Sequence, residues 1–173
     1  MGREVRKVPA DWQHPKDAKG SYIPLLGGSY AKAAAEWDEG IVKWAEGSRR
    51  DYSKDNAWKP REHDDGTYED WAGTRPEESD YMPDWPEAER THLMMYEDTT
   101  EGTPISPAFL TPEELARWLV DNGASSFGSS TGSYEGWLAV AQGGWAPSMI
   151  VTPAGITIGV DAAYTPPTTK EQP

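Results

Sequence analysis

Cysteine is absent from this chain, and disulfide frameworks, thiolate zinc sites and cysteine nucleophiles are excluded with it. The lack fits a reducing compartment. Long apolar runs are missing too. Nothing approaches the roughly 20 residues that cross a bilayer, and Arg3, Arg6, Lys7, Asp11 and Lys16 interrupt any signal-peptide core near the start. The expected location is the cytoplasm, with no membrane partner. Hydrophobic residues make up only 36% of the chain and mean hydropathy is −0.76, a range in which disorder is the usual alternative. Nine tryptophans and eight tyrosines argue against it, because each buried aromatic removes about 150–250 Å² from water. The expected core is aromatic rather than aliphatic.

Positive charge is scarce where negative charge is dense. Residues 62–101 hold 14 Asp/Glu against 2 Lys/Arg, in a chain whose net charge is −13. Such a block repels nucleic-acid phosphates and anionic lipid and attracts basic surfaces. The plainer reading is a solvated acidic loop that aids solubility. Direct nucleic-acid binding is disfavoured by the same field.

At 173 residues the chain is read as one domain over 1–161, able to bury roughly 70% of its unfolded surface without a covalent or metal staple. A flexible Pro/Thr tail over 162–173 follows. The fold class expected is α+β, mainly helical, with an aromatic-rich core, a C-terminal β-hairpin and long irregular connections. Residues 1–28 read as an extended segment whose prolines suit an edge strand, with Trp12, Tyr22 and Leu25 as anchors. Ser29 opens a helix over about 29–46, with Trp37 and Trp44 on its apolar face. Gly40 weakens the middle of that helix. Residues 48–83 show no sustained period and read as an irregular acidic excursion with a short helix near Thr67–Ala72.

Asp84, with Pro86 and Glu87, caps a helix over about 85–95; the run Leu93-Met94-Met95-Tyr96 reads equally as a buried strand. Thr111, Pro112 and Glu114 form a capping box at the start of a helix over about 112–122, and a further helix spans about 134–142. The four long helices are expected to pack around Trp37, Trp44, Trp118 and Trp137. Alternating apolar residues on either side of Pro153-Ala154-Gly155 predict the hairpin.

The most distinctive local sequence runs from Tyr96 to Pro107. It gathers Glu97, Asp98, Glu101, four hydroxyl residues, one glycine and two prolines. It reads either as a rigid recognition loop or as a turn whose Ser and Thr satisfy their own backbone. His63-Asp64-Asp65-Gly66 resembles part of a metal site, but Asp64, Asp65, Glu69 and Asp70 miss the EF-hand spacing. His14 stands in Trp-Gln-His-Pro with no nucleophile motif beside it. Neither Gly27-Gly28 nor Ser129-Ser130-Thr131-Gly132 is a P-loop. No cofactor, metal or catalytic residue is expected.

The pieces Val8-Pro9, Trp12, His14-Pro15, Tyr96-Glu97, Thr100-Glu101-Gly102-Thr103-Pro104, Ser106-Pro107 and Thr111–Leu119 resemble a set of uncharacterised small proteins encoded by phages and prophages. The resemblance implies a setting, the cytosol of a bacterial host, and no activity. Two functional readings follow. In the first, the chain is a phage-type accessory protein acting by protein–protein contact. Asp64, Asp65, Glu69 and Asp70 meet a basic partner, with Trp71, Tyr81 and Trp85 as desolvated anchors. If that partner is a host nucleic-acid-binding or defence protein, the carboxylates occupy its phosphate track as a DNA mimic and antagonist. In the second, Glu97, Glu101, Thr103 and Ser106 join His14 in a small-ligand site or an enzyme, marked by a pocket that connects them.

Overall fold

The computed structural model describes residues 2–62, 65–98, 102–146, 149–152 and 155–164. The chain begins with β1 (Arg3–Val8), α1 (Tyr30–Ala45), β2 (Ser48–Asp51), β3 (Ala57–Pro60) and α2 (Tyr68–Ala72). It continues through β4 (His92–Glu97), β5 (Thr103–Pro104), α3 (Pro112–Asp121), β6 (Ser125–Phe127) and β7 (Ser130–Thr131). It closes with α4 (Tyr134–Gly143), β8 (Trp145–Ala146), β9 (Met149–Thr152) and β10 (Gly155–Ile158). The expected helical majority is therefore wrong. The protein is a small α+β fold with four helices and several small antiparallel sheets among the described residues, about 32% helical and 26% strand.

Two compact units are present, Met1–Leu25 with Trp85–Pro173, and Leu26–Asp84. The first is built on a four-stranded sheet of order β5-β4-β1-β8. β1 runs antiparallel to β4 from Arg3 opposite Glu97 to Val8 opposite His92. β1 is thus internal and not an edge. Its prolines, Pro9 and Pro15, come after the strand, so no ladder N–H is missing.

The expected helix over 85–95 is replaced by a turn and a strand. Asp84-Trp85-Pro86 starts only one turn, in which Glu89 N–H donates to the Pro86 carbonyl at 2.9 Å. The strand wins because its backbone is paired on both sides, with β1 on one and with β5 and Phe109 on the other. That placement buries Met94, Met95 and Tyr96.

α3 has the predicted cap, Thr111 Oγ1 accepting from Glu114 N–H and Glu114 Oε2 from Thr111 N–H, both at 3.2 Å. Its Leu115 and Leu119 join Met95 of β4, Trp137 and Val140 of α4, and Val160 in one buried core. Trp137 is fully buried and Trp44 nearly so, whereas Trp37 and Trp118 are half-buried. The four tryptophans do not surround one centre, because Trp118 and Trp137 belong to the first unit and Trp37 and Trp44 to the second. β9 and β10 pair antiparallel from Thr152 opposite Gly155 to Met149 opposite Ile158. Ala162 and Ala163, read as tail, close a short helix over Gly159–Ala163; the rest of the expected tail from 165 onward lies outside the described residues.

The second unit shows that the acidic excursion is ordered around arginine. β2 and β3 form a hairpin with Arg50 opposite Trp58, and the guanidinium lies 4.4 Å from that ring's centroid. Asp55 and Asn56 take left-handed backbone at φ 50° and 57° to turn the chain. Arg49 sits 4.5 Å over Trp71 of α2. Tyr68 wedges between Trp37 and Trp44 of α1, with ring centroids 5.2 and 5.7 Å away.

That packing explains Gly40. A Cβ at Gly40 would collide with the Tyr68 hydroxyl. Gly40→Ala gains about 1 kcal/mol of helix propensity and loses about 1–3 kcal/mol to overpacking. We expect a net loss in a urea melt, reduced but not abolished when Tyr68→Phe removes the hydroxyl, because the ring carbon that carried it also lies too close to a Cβ at Gly40.

Candidate ligand-binding cleft

The β1–β4 pairing brings two distant stretches together. Residues 9–25 leave β1 as a strap, and residues 103–109 return alongside β4. Ile23 N–H bonds the Pro15 carbonyl at 3.0 Å and Leu25 N–H bonds the Gly102 carbonyl at 3.3 Å. Gly102 stands at φ 100°, and a Cβ there would strike the Leu25 carbonyl and the Arg6 guanidinium. Only glycine allows this crossing.

Between strap and loop lies a cleft of about 630 Å³. Trp12, His14 and Tyr22 line it from the strap, Met94 from β4, and Trp118 from α3, while Pro104–Ala108 supply the opposite lip. No carboxylate is among these lining residues, although the chain carries 29 Asp/Glu. Lys16 stands at the cleft with its ammonium 4.6 Å from the Tyr22 ring centroid. Trp118 also walls a second, shallow hollow of about 730 Å³ that contains Phe109, Leu110 and Tyr134.

The polar atoms behind the cleft are occupied. His14 is buried; its Nε2 is 2.6 Å from the Ile23 carbonyl and its Nδ1 is 3.3 Å from the Tyr96 hydroxyl. A neutral ring satisfies both, with Nε2–H donating to the carbonyl and Nδ1 sharing the tyrosine's proton with Met94 Sδ, 3.2 Å from that hydroxyl. Burial lowers the His14 pKa and Arg6 lowers it further, against the opposing effect of the Ile23 bond. Tyr96 accepts Trp12 Nε1–H at 3.2 Å and is pushed up by burial to about 12. The Arg6 guanidinium covers its ring at 4.5 Å. Ser106 Oγ accepts Met95 N–H at 2.9 Å and donates to the Pro107 carbonyl at 2.8 Å. It is a structural clip, with its hydroxyl engaged on both sides.

Of the residues read from sequence, His14 and Ser106 therefore meet at one cleft. Thr103 pairs with Glu97 in the β4–β5 ladder, and Glu97 forms an ion pair at 3.5 Å with the buried Arg3. Glu101 lies outside the described residues, as does Asp64. Trp85 stacks edge-on against Trp12 at 4.7 Å. The others belong to the second unit. Asp65 pairs with Arg49 at 3.2 Å. Asp70 completes a capping box with Thr67, whose hydroxyl holds the carboxylate below its ordinary pKa. Trp71 lies under Arg49, and Tyr81 packs on Tyr30 at 5.8 Å. Glu69 is exposed.

The sequence reading missed Met94, Lys16 and Trp118 as lining residues. The spacing Trp12-x-His14 before a proline was the available signal, but nothing local indicates what it faces. Among the described residues no cluster of His, Asp and Glu is placed to hold a metal, and no helix is long and apolar enough to cross a membrane. No family model, curated protein or solved structure matches the chain.

Two outcomes follow. The unfolded His14 titrates near 6.5 and the folded one lower, so the His14 contribution to stability is present above 6.5 and is lost as pH falls through the folded pKa. The wild-type urea midpoint should fall more steeply than that of His14→Gln between about pH 7 and about pH 5. Ser106→Ala leaves Met95 N–H without its partner and should lower stability by about 1–3 kcal/mol.

Proposed function

We propose that the protein is a ligand-binding protein whose site is the aromatic cleft of the first unit, and that it holds its ligand without transforming it. The observation that carries this reading is the cleft itself. Its volume of about 630 Å³ falls within the range of small-molecule sites, about 300–1,000 Å³. Trp12, Tyr22 and Trp118 offer ring surfaces, and Met94 adapts its shape to them. His14, Tyr96 and Ser106 already hold one another or the backbone, which leaves recognition to the ring faces with Gln13 and Lys16 as further polar side chains of the lining. With Lys16 at the cleft and no lining carboxylate, the ligand class favoured is a flat apolar or aromatic group, neutral or anionic.

A second reading, contact with a basic protein, rests on Glu69, Glu77, Glu78 and Asp80, which are exposed and have no cationic partner among the described residues. In that reading a nucleic-acid-binding host protein is the case in which carboxylates take the place of phosphates. Asp65 and Asp70 contribute less to such a face, being engaged inside the second unit.

The cleft reading is tested with the aromatic anion 1-anilinonaphthalene-8-sulfonate at neutral pH. We expect one saturable site, weakened roughly five- to tenfold by Tyr22→Ala and by Trp118→Ala, while the near-ultraviolet dichroism of Tyr22→Ala stays native. Binding that ignores both substitutions retires the cleft as the site. A basic-protein complex that dissociates steeply with salt and is lost when the four exposed carboxylates are neutralised would instead favour the second reading.

A further inference from the structure

The second unit holds a smaller hollow of about 250 Å³, independent of the cleft. Trp37 of α1, Tyr68 of α2 and Tyr52 of the β2–β3 turn line it, with the Glu36 carboxylate among its polar groups. The Trp37 and Tyr68 rings meet at 61° with centroids 5.2 Å apart, so they form two walls at an angle rather than a stack. Each wall is fixed from behind. Trp37 Nε1–H donates to the Gly73 carbonyl at 3.0 Å, and Tyr68 is held against Trp44 and the missing side chain of Gly40. Tyr52 remains 69% exposed, a large ring left in water beside a concave aromatic surface.

The charges of the hollow are unequal in availability. Arg50 lines it, but its Nη2 pairs with Glu39 at 2.7 Å and its guanidinium is stacked on Trp58. Among the described residues Glu36 pairs with Lys32, 3.9 Å away, and both side chains are well exposed, a geometry of little energetic worth. The lining therefore offers three aromatic rings, a loosely paired carboxylate and a cation that is already neutralised. A plain ammonium gives up strongly held hydration on entry, and the ring faces return only part of it. A methylated ammonium has an apolar skin over its charge and loses far less on entry, while the ring quadrupoles attract it. The volume admits one such head group and falls short of a drug-sized ligand.

We infer that this hollow is an aromatic cage for a methylated ammonium group, carried either by a free choline-like molecule or by a methylated lysine side chain. The full-length chain is titrated with tetramethylammonium, choline and a trimethyllysine peptide, with ammonium and the unmodified lysine peptide as comparisons. The Trp37 indole N–H resonance reports occupancy. Tetramethylammonium and at least one of the two methylated carriers should shift that resonance saturably, whereas ammonium and unmodified lysine should not. The tighter of choline and the peptide identifies the source. Tyr52→Ala, at an exposed position that leaves the fold intact, should weaken binding roughly three- to thirtyfold, and Glu36→Gln roughly two- to fivefold. Tyr22→Ala, in the other unit, should leave it unchanged. Equal binding of ammonium and tetramethylammonium, no saturable shift with any methylated probe, or indifference to Tyr52→Ala overturns the inference.

Discussion

The antiparallel pairing of β1 with β4 is the constraint on which the first unit depends. Six residues of one strand face six of the other in a fixed register, and a slip of one residue would turn every side chain to the opposite face. Arg3 helps to lock one end of that register. Its buried guanidinium reaches Glu97 across the ladder and the Ser125 carbonyl beyond it. Leaving such a charge unpaired in the interior is costly, so register and ion pair enforce each other. Arg6 does the same in mid-strand, covering the Tyr96 ring and binding the Leu25 carbonyl. Through these contacts the strap that leaves β1 is laid beside the loop that follows β4, and the cleft is the space left between them.

The two hollows are chemically opposite. Among the described residues, one is lined by rings and prolines without a carboxylate and has a lysine at its side; the other sets rings beside a glutamate and carries an arginine already paired. Part of that contrast arises because three arginines of the second unit are stacked on tryptophan. Arg49, Arg50 and Arg61 each lie over an indole ring, and for Arg49 and Arg50 flanking carboxylates also take part of the place of water. Part of the acidic stretch is thus architecture. Glu62 and Asp65 hold Arg49 and Asp70 caps α2, while Glu69, Glu77, Glu78 and Asp80, exposed and without a cationic partner among the described residues, lie elsewhere on the same unit.

What could be read from the sequence was local. Ser29, Thr111 and Ser133 each cap the helix that follows, and caps are read within four residues. The alternation on either side of Pro153-Ala154 likewise announces β9 and β10. Failures came where a distant partner decided the outcome. Asp84 and Pro86 look like a helix start, yet the six residues from His92 find β1 and become strand. Arg49, Arg50 and Trp58 show no helical or alternating apolar period, because their burial comes from stacking a cation on a ring. The cleft was partly legible, in that His14 was associated with the loop reaching Ser106. The role of each was not, since whether a histidine is free or held depends on atoms such as the Ile23 carbonyl and the Tyr96 hydroxyl, which no spacing rule connects.

The division of the chain also imposes an order in time. The second unit draws all its pairings from residues 26–84, and its ends are stitched by Leu26 N–H to the Asp80 carbonyl and Met82 N–H to the Leu26 carbonyl. The first unit is interrupted by it, so β1 emerges from the ribosome long before β4 exists to receive it. Contacts of such high sequence separation form late, and domains of a growing chain fold as their residues become available. During synthesis the second unit can complete its hairpin and helices while β1 still has its ladder groups in water. The charged pairs that precede each valine along β1, Arg3-Glu4 and Arg6-Lys7, keep that waiting strand from pairing with another chain.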